Sequence, residues 1–336
     1  MTSIEPLIGQ KFAYAYGRTG VLQLLLLRQS DVDRLLGTRD RSEAEKILTE
    51  LKLTTQIDQG ISKGDLMLQA LRSWVRNEVE QMSAPAKRPV FSILWSQGDE
   101  ALLSYLLKEK HGLTSSVSTE PETSLTAHAP EELRALVTEG KEGTFPSHLI
   151  AFVHEMKKKQ DLTPQDVDHS VAQFFASLRL RLARTSGSRL IRQYVRHNID
   201  LQNIRTALRS YEEEERSAAL LEGGEISTDN LRGDRATILA AVSRSSLPYE
   251  LAESIENAGD DPIALERTCA DVLAKDITSM WNVPLSIEPL FAFAAIALSD
   301  ITLIRTVLIG KDNGFSPQAI KKMLPPFIPA AHYKVS

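Results

Sequence analysis

Apolar residues recur along most of the chain at the three- and four-residue spacing of amphipathic helices. In one run, Val167, Val171 and Phe175 fall on one face of a helix with 3.6 residues per turn, so that face is expected to be buried. Thr163-Pro164 predicts the start of this helix, because proline fits a first helical turn. Alternation of apolar and polar residues, which would indicate strands, is confined to short runs. The pattern therefore predicts an all-α protein.

Three nine-residue segments about a hundred positions apart resemble one another. They occupy residues 99–107, 200–208 and 300–308, and each begins with aspartate and continues with apolar positions in the same register. The second and third also share Ile, Arg, Thr and Leu, whereas the first lacks the Arg-Thr pair. This repetition predicts three similar helical lobes, at residues 1–118, 119–222 and 223–336, in a pseudo-threefold, funnel-like arrangement around a central groove.

Two segments between the predicted helices have the composition of loops. Residues 113–130 are rich in Ser, Thr, Pro and Glu and poor in apolar residues, which predicts an exposed linker between lobes. The pair Gly223-Gly224 predicts a helix end followed by a turn.

The repeated aspartates allow two structures. Asp99 follows Gly98, which favours a helix N-cap, since a carboxylate accepts backbone N–H bonds at a helix start. Alternatively, the three aspartates lie within helices and pair with arginines of neighbouring elements. Arg205 and Arg305 occupy equivalent repeat positions beside apolar residues, and a lobe-bracing salt bridge is favoured for them over contact with a partner protein.

Composition is that of a globular protein with two or three domains. The chain has 336 residues, of which 42% are apolar and 25% charged, and its net charge of -5 argues against a dedicated nucleic-acid binder. The single cysteine, Cys269, predicts a core thiol in a protein of a reducing compartment. The apolar run at residues 290–298 is shorter than the roughly 20 residues of a membrane span, so no transmembrane segment is expected.

Motifs for catalysis or cofactor binding are missing from the sequence. It has neither a phosphate-binding glycine loop nor a Gly-x-Ser-x-Gly elbow, and no two histidines stand four residues apart. We therefore expect no catalytic residue, cofactor or metal. The most basic stretch, residues 179–197 with Arg192 and Arg196, fits either a docking surface for an acidic partner or anionic membrane, or a solvated helix face offset by the acidic residues 212–215.

The second repeat also carries a more specific signature. Residues 194–209 contain Asp200, Asn203, Ile204 and Arg205 in the pattern Asp-x-x-Asn-Ile-Arg-Thr-x-Leu-Arg. This pattern closely resembles the central motif of the C subunit of the V-type and A-type rotary ATPases, known in eukaryotes as the d subunit. Residues 14–18, 221–226 and 288–317 resemble, in order, the opening helix, the Gly-Gly turn and the C-terminal signature of that family.

The resemblance implies a non-catalytic rotor adaptor of three helical lobes. In that family the protein rests on the cytoplasmic face of the membrane proteolipid ring, receives the central stalk formed by the D and F subunits, and binds no nucleotide. A free-standing helical scaffold and a helical enzyme with an unrecognised site remain the alternatives. The candidate partner-contact or lobe-bracing residues are Arg205, Arg305, Asp200, Asn203, Asp300, Arg192 and Arg196.

Overall fold

A computed structural model of the chain describes residues 12–114, 120–121, 123, 125–209, 219–257, 262–325 and 328. These residues form helices and connecting loops without a strand, which confirms the predicted all-α class. In chain order the α-helices are α1 (Ala13–Leu22), α2 (Gln29–Gly37), α3 (Arg41–Glu50), α4 (Gly64–Met82), α5 (Ser92–Lys110), α6 (Pro130–Glu139), α7 (Ser147–Lys158), α8 (Pro164–Ser186), α9 (Arg189–Arg209), α10 (Thr228–Arg232), α11 (Arg235–Ser243), α12 (Tyr249–Glu256), α13 (Pro262–Trp281), α14 (Glu288–Asp312) and α15 (Pro317–Met323). Short 3-10 helices occupy Gln23–Leu25, Leu53–Gln56 and Pro85–Phe91.

The chain divides into two compact units. Unit 1 contains the residues up to Arg88 together with those from Glu266 onward, and unit 2 contains Pro89–Leu265. Helix α13 spans the second division point, and the thiol of Cys269 on it is fully buried, as predicted. The division into three lobes at residues 118 and 222 stays a prediction.

Unit 1 is built around α14. This helix contacts α1, α2, α3, α4 and α15, and its side chains are buried on nearly every side. Phe291 and Phe293 are fully buried, and the ring of Trp74 on α4 meets Phe293 edge-on, with ring centroids 6.1 Å apart. A helix that is apolar all round is expected at the centre of a packed unit.

Helix α14 is also long and apolar enough to cross a membrane, by length and composition alone. The helix has 25 residues and is therefore much longer than the apolar run at residues 290–298 that was recognised in the sequence. In its most apolar window, 67% of the residues are buried inside the protein. This is the pattern of a core helix, because the apolar side chains of a lipid-facing helix would lie on the outer surface of the protein.

Unit 2 has a core in which α8 packs between α5 and α9. Leu103 of α5, Leu133 of α6, Val153 of α7 and Phe175 of α8 are among the residues that fill the space between the helices. The predicted start of α8 is confirmed, since Thr163 caps it in a reciprocal capping box with Asp166. These helices place α9 and the loop that follows it, which carry most of the candidate site.

The turn from α8 into α9 depends on two small residues. Gly187 follows the last residue of α8 with φ 78°, a left-handed conformation that glycine adopts without a steric penalty. The buried Ser188 then accepts the backbone N–H of Ile191 at 3.1 Å and so caps α9. The turn thus brings the last turn of α8 close to the first turn of α9.

Candidate functional site

The three repeated aspartates lie inside long helices and are buried. Asp99 on α5 and Asp200 on α9 are 0% exposed, and Asp300 on α14 is 2% exposed. The N-cap predicted for Asp99 is therefore wrong, because α5 already begins at Ser92. The alternative of a position within the helix is correct for all three.

Backbone N–H groups hydrogen-bond to all three carboxylates. Asp99 accepts the N–H of Ala127 at 2.8 Å and that of His128 at 3.3 Å, and it lies 2.6 Å from His128 Nδ1. Asp200 accepts the N–H of Glu225 at 2.8 Å and that of Ile226 at 3.0 Å. In unit 1, Asp300 accepts the N–H of Leu27 at 2.9 Å. These bonds take the place of the arginine partners that were considered from the sequence.

The three sets of bonds share one register. His128, Ile226 and Leu27 each stand two residues before the first residue of a following helix, namely α6, α10 and α2. In each case a carboxylate in a long helix holds the approach to a shorter helix. A carboxyl oxygen accepts these N–H bonds in a water-free setting, so each bond fixes its segment to the long helix.

Two glycines permit these close approaches. A Cβ atom on Gly98, beside Asp99, would lie 2.0 Å from the backbone oxygen of Leu125. A Cβ atom on Gly224 would lie 2.0 Å from Oδ1 of Asp200. The end of the predicted exposed linker is therefore packed on α5, and Thr126 is only 6% exposed. The prediction of an exposed linker is wrong for this end, because Asp99 accepts its backbone N–H groups and Gly98 lets it approach α5 closely.

Burial raises the pKa of two of these carboxyl groups. For Asp200 the desolvation is partly offset by the N–H bonds of Glu225 and Ile226 and by the charge of His197, and the pKa is raised to about 6. For Asp300, burial raises the pKa well above its usual range, because only the N–H of Leu27 opposes it.

Asn203 lies one helical turn after Asp200 and holds the same loop. Its side-chain amide donates to the backbone oxygen of Leu221 at 2.7 Å, and its Oδ1 accepts the N–H of Leu221 at 2.8 Å. Together, Asp200 and Asn203 fix both ends of residues 221–226, named here the glycine loop. The predicted Gly-Gly turn is confirmed as part of this loop, and Gly223 has φ 107°.

A basic cavity adjoins the glycine loop. It has a volume of about 630 Å³ and is named here the arginine cavity. Its lining includes Arg184 from the last turn of α8 and Arg189, Arg192 and Arg196 from α9. Gly223 and Gly224 complete one wall, where Arg196 donates to the backbone oxygen of Gly224 at 3.1 Å.

Three members of the predicted basic stretch do not line this cavity, namely Arg179, Arg181 and His197. Arg179 forms an ion pair with Glu100, and its Nε donates to Ser96 Oγ at 3.0 Å. His197 is 2% exposed, and its Nε2 lies 2.9 Å from Ser246 Oγ. Sequence spacing could not separate Arg179 and His197 from the cavity arginines, since Glu100 and Ser246 are far away in sequence.

One carboxylate, that of Glu225, also lines the cavity and is already bonded to Ser246. It accepts the backbone N–H of Ser246 at 2.9 Å and the Ser246 hydroxyl. Burial opposes its ionisation, but the hydrogen bonds of Ser246 and the charges of His197 and Arg196 lower its pKa below the usual range. Its negative charge offsets only part of the positive charge of the four arginines.

The other candidate residues lie apart from the cavity. Arg205 is half-buried on α9 in unit 2, and Arg305 is exposed on α14 in unit 1. Within the described ranges, no three His, Cys, Asp or Glu side chains are grouped so as to hold a metal ion. The acidic residues 212–215, considered as partners of the basic stretch, lie outside the described residues.

Comparison with known proteins identifies the class of protein that carries these features. Residues 15–323 match the family model described as ATP synthase (C/AC39) subunit, which defines a component of a rotary ATPase. The chain belongs to this C/AC39 family of V/A-type ATP synthases. The resemblance found in residues 194–209 is thereby confirmed. A comparison with curated proteins gives no match.

Proposed function

We propose that this chain is the non-catalytic adaptor of the central rotor in a V/A-type rotary ATPase. In this role it couples a central stalk, formed by the D and F subunits, to the membrane proteolipid ring during proton or sodium transport. The observation that carries the proposal is the family match over residues 15–323, which includes every helix from α2 to α15.

The buried aspartates support a part that transmits torque. Such a part has to resist sliding of its helices past one another, and directional hydrogen bonds oppose sliding in addition to the close-packed core. Hydrogen bonds to Asp99, Asp200 and Asp300 tie a long helix to a segment that is distant in sequence at three places. Directional bonds of this kind add to the rigidity of the packed core.

The proposed location is the cytoplasmic face of the membrane, where the chain rests on the rotor ring as a peripheral component. A burial of 67% for the most apolar window of α14 supports attachment through partner proteins. The net charge of -5 supports protein partners over nucleic acid. We infer that the chain has no cofactor and no active site of its own.

Co-purification of the full chain with its partners tests this role. The tagged chain is mixed with a purified D–F pair and, separately, with a detergent-solubilised proteolipid ring. We expect a discrete complex in each case, and a ternary complex when all components are present. The D–F pair mixed with the ring alone is the matched control and should give much less complex. Failure of the chain to bind both the pair and the ring would overturn the proposal.

A further inference from the structure

The arginine cavity has the size of a small-molecule site, and the described residues of its lining carry an excess of positive charge. Its volume of about 630 Å³ falls within the range of ligand pockets, roughly 300–1,000 Å³. Among the described residues that line it, four are arginines and one, Glu225, is acidic and is bonded to Ser246. Within the part of the chain that the structure describes, none of these four arginines forms an ion pair.

The arrangement of the arginines is unfavourable for the protein alone. Arg189, Arg192 and Arg196 follow the spacing i, i+3 and i+7, so that they share one face of α9 and repel one another. Arg189 and Arg192 also lie in the first turn of α9, at the positive end of the helix dipole. Local rules are broken in this way mainly at functional sites.

The side chains offer donors that suit phosphate groups. A guanidinium group presents a planar fork of N–H donors that binds two phosphate oxygens at once. The cavity arginines come from two helices, Arg184 from α8 and three from α9, so they face a ligand from more than one direction. The backbone at Gly223 and Gly224 forms part of the wall, and its Gly224 oxygen accepts a hydrogen bond from Arg196 at 3.1 Å.

We propose that the arginine cavity binds a small ligand with several phosphate groups. The ligand's negative charges would neutralise the four guanidinium groups and add a favourable interaction at the start of α9. Its source is either a soluble polyphosphate compound or the headgroup of a phosphorylated lipid, since both present the same chemistry. The four arginines surround one cavity of limited volume, which favours such a ligand over an extended acidic peptide.

Titration of the full-length chain with inorganic tripolyphosphate tests the proposal. We expect saturable binding, detected by calorimetry, that weakens with added salt. The double variant Arg184→Gln/Arg189→Gln removes two cavity arginines whose side chains make no hydrogen bond in the described residues, so folding should be preserved. It should bind tripolyphosphate about tenfold or more weakly, because each removes charge-assisted hydrogen bonds. Arg181→Gln, an exposed arginine of α8 outside the cavity, is the matched control and should bind as the wild type.

A second arm distinguishes the two sources. Vesicles of phosphatidylcholine with phosphatidylinositol bisphosphate are compared with vesicles of phosphatidylcholine alone. Binding only to the phosphorylated vesicles supports the site with a lipid source, and binding only to tripolyphosphate supports it with a soluble source. Absence of binding to both, equal weakening by Arg181→Gln, or binding of a poly-glutamate peptide in place of phosphate would each overturn the proposal.

The melting temperature in phosphate-free buffer gives an independent readout. If the cavity arginines serve a ligand, the double variant should melt at the same temperature as the wild type or higher, because repulsion is relieved. A melting temperature several degrees lower would show that Arg184 and Arg189 hold the structure together, and would overturn the proposal.

Discussion

The carboxylate of Asp300 accepts the backbone N–H of Leu27 at 2.9 Å, across 273 positions of sequence. This bond joins the last long helix to the segment that precedes α2, and both lie in unit 1. Asp99 and Asp200 make the corresponding bonds in unit 2. The same device therefore recurs at each repeat, although the surrounding sequences differ.

Replacement of each repeat aspartate by alanine should destabilise the protein. Buried N–H groups would lose their acceptor, at about 1–3 kcal/mol for each group left unsatisfied. Asp99→Ala and Asp200→Ala each affect two backbone N–H groups and Asp300→Ala affects one, so we expect the first two to be more destabilising. Urea unfolding of the purified chain measures the order.

Asp271→Ala is the control for this series. Asp271 is an exposed residue of α13 and has no hydrogen bond or ion pair in the described residues, so its loss should change the unfolding free energy by less than about 0.5 kcal/mol. If all four variants behaved alike, the buried aspartates would not be anchors.

The raised pKa of Asp200 predicts a specific pH dependence. Its pKa is about 6 in the folded protein and 3.8 when unperturbed, so between these values the folded state binds a proton that the unfolded state lacks. The contribution of this group to stability is therefore fully present below pH 3.8 and is lost as the pH rises through 6. The loss amounts to about 3 kcal/mol, at 1.36 kcal/mol per pKa unit.

Asp200→Asn removes this titration. The free energy of unfolding of the wild type, relative to that of Asp200→Asn, should fall as the pH rises from 4.5 to 7.5. Urea unfolding at several pH values measures both proteins. Asp271→Asn should show no such trend. A wild-type curve parallel to that of Asp200→Asn would contradict the prediction.

The same glycine-to-alanine change should have opposite effects at two helical positions. Gly98→Ala places a Cβ atom 2.0 Å from the Leu125 oxygen, so the linker end has to move and stability should fall by about 1–3 kcal/mol. Gly17 lies within α1 with open space around its Cα, and Gly17→Ala should stabilise by about 0.5–1 kcal/mol. Thermal unfolding followed by circular dichroism measures both, and equal signs would rule out the close approach at Gly98.

Charge reversal separates the two roles proposed for the repeat arginines. Arg305 is exposed on α14, so Arg305→Glu should weaken binding of the D–F pair about tenfold. Arg205 is half-buried on α9, so Arg205→Glu should lower the melting temperature by several degrees. Stalk affinity and melting temperature are measured separately for each variant.

Arg267→Glu is the matched control for Arg305→Glu. Arg267 is also an exposed arginine on a helix of unit 1 and has no ion pair in the described residues. If Arg267→Glu weakened stalk binding as much as Arg305→Glu, the effect would come from overall charge. Unchanged affinity and stability in Arg305→Glu would remove this residue from both proposed roles.

The class of fold could be predicted from the sequence because helical spacing is a local property. The start of α8 at Thr163-Pro164 was also predictable, since the cap residues are adjacent to the helix they begin. The position of Asp99 was not, because Gly98 has the appearance of a helix boundary. A glycine is needed at position 98 because the backbone of Leu125, 27 positions later, approaches it closely. No local sequence pattern indicates that contact.

The candidate site divides in the same way. The basic stretch of α8 and α9 is visible in the sequence, and the helical period indicates that Arg189, Arg192 and Arg196 share a face. The ion pair between Arg179 and Glu100, in contrast, is a tertiary contact that the sequence does not reveal. The hydrogen bonds of Asn203 to the backbone of Leu221 could not be predicted either, since an Asn within a helix has no characteristic partner.

Unit 1 combines an early segment of the chain with a late one, and this order affects how the protein folds during synthesis. Asp300 leaves the ribosome 273 residues after Leu27, which takes roughly 14 to 55 s at 5–20 residues per second. Unit 2 is synthesised in full during that interval, whereas α1 to α4 wait without the helix that covers their apolar faces. The nascent chain thus exposes the N-terminal part of a core long before the central helix of that core exists, and exposed apolar surface of this kind is prone to aggregation.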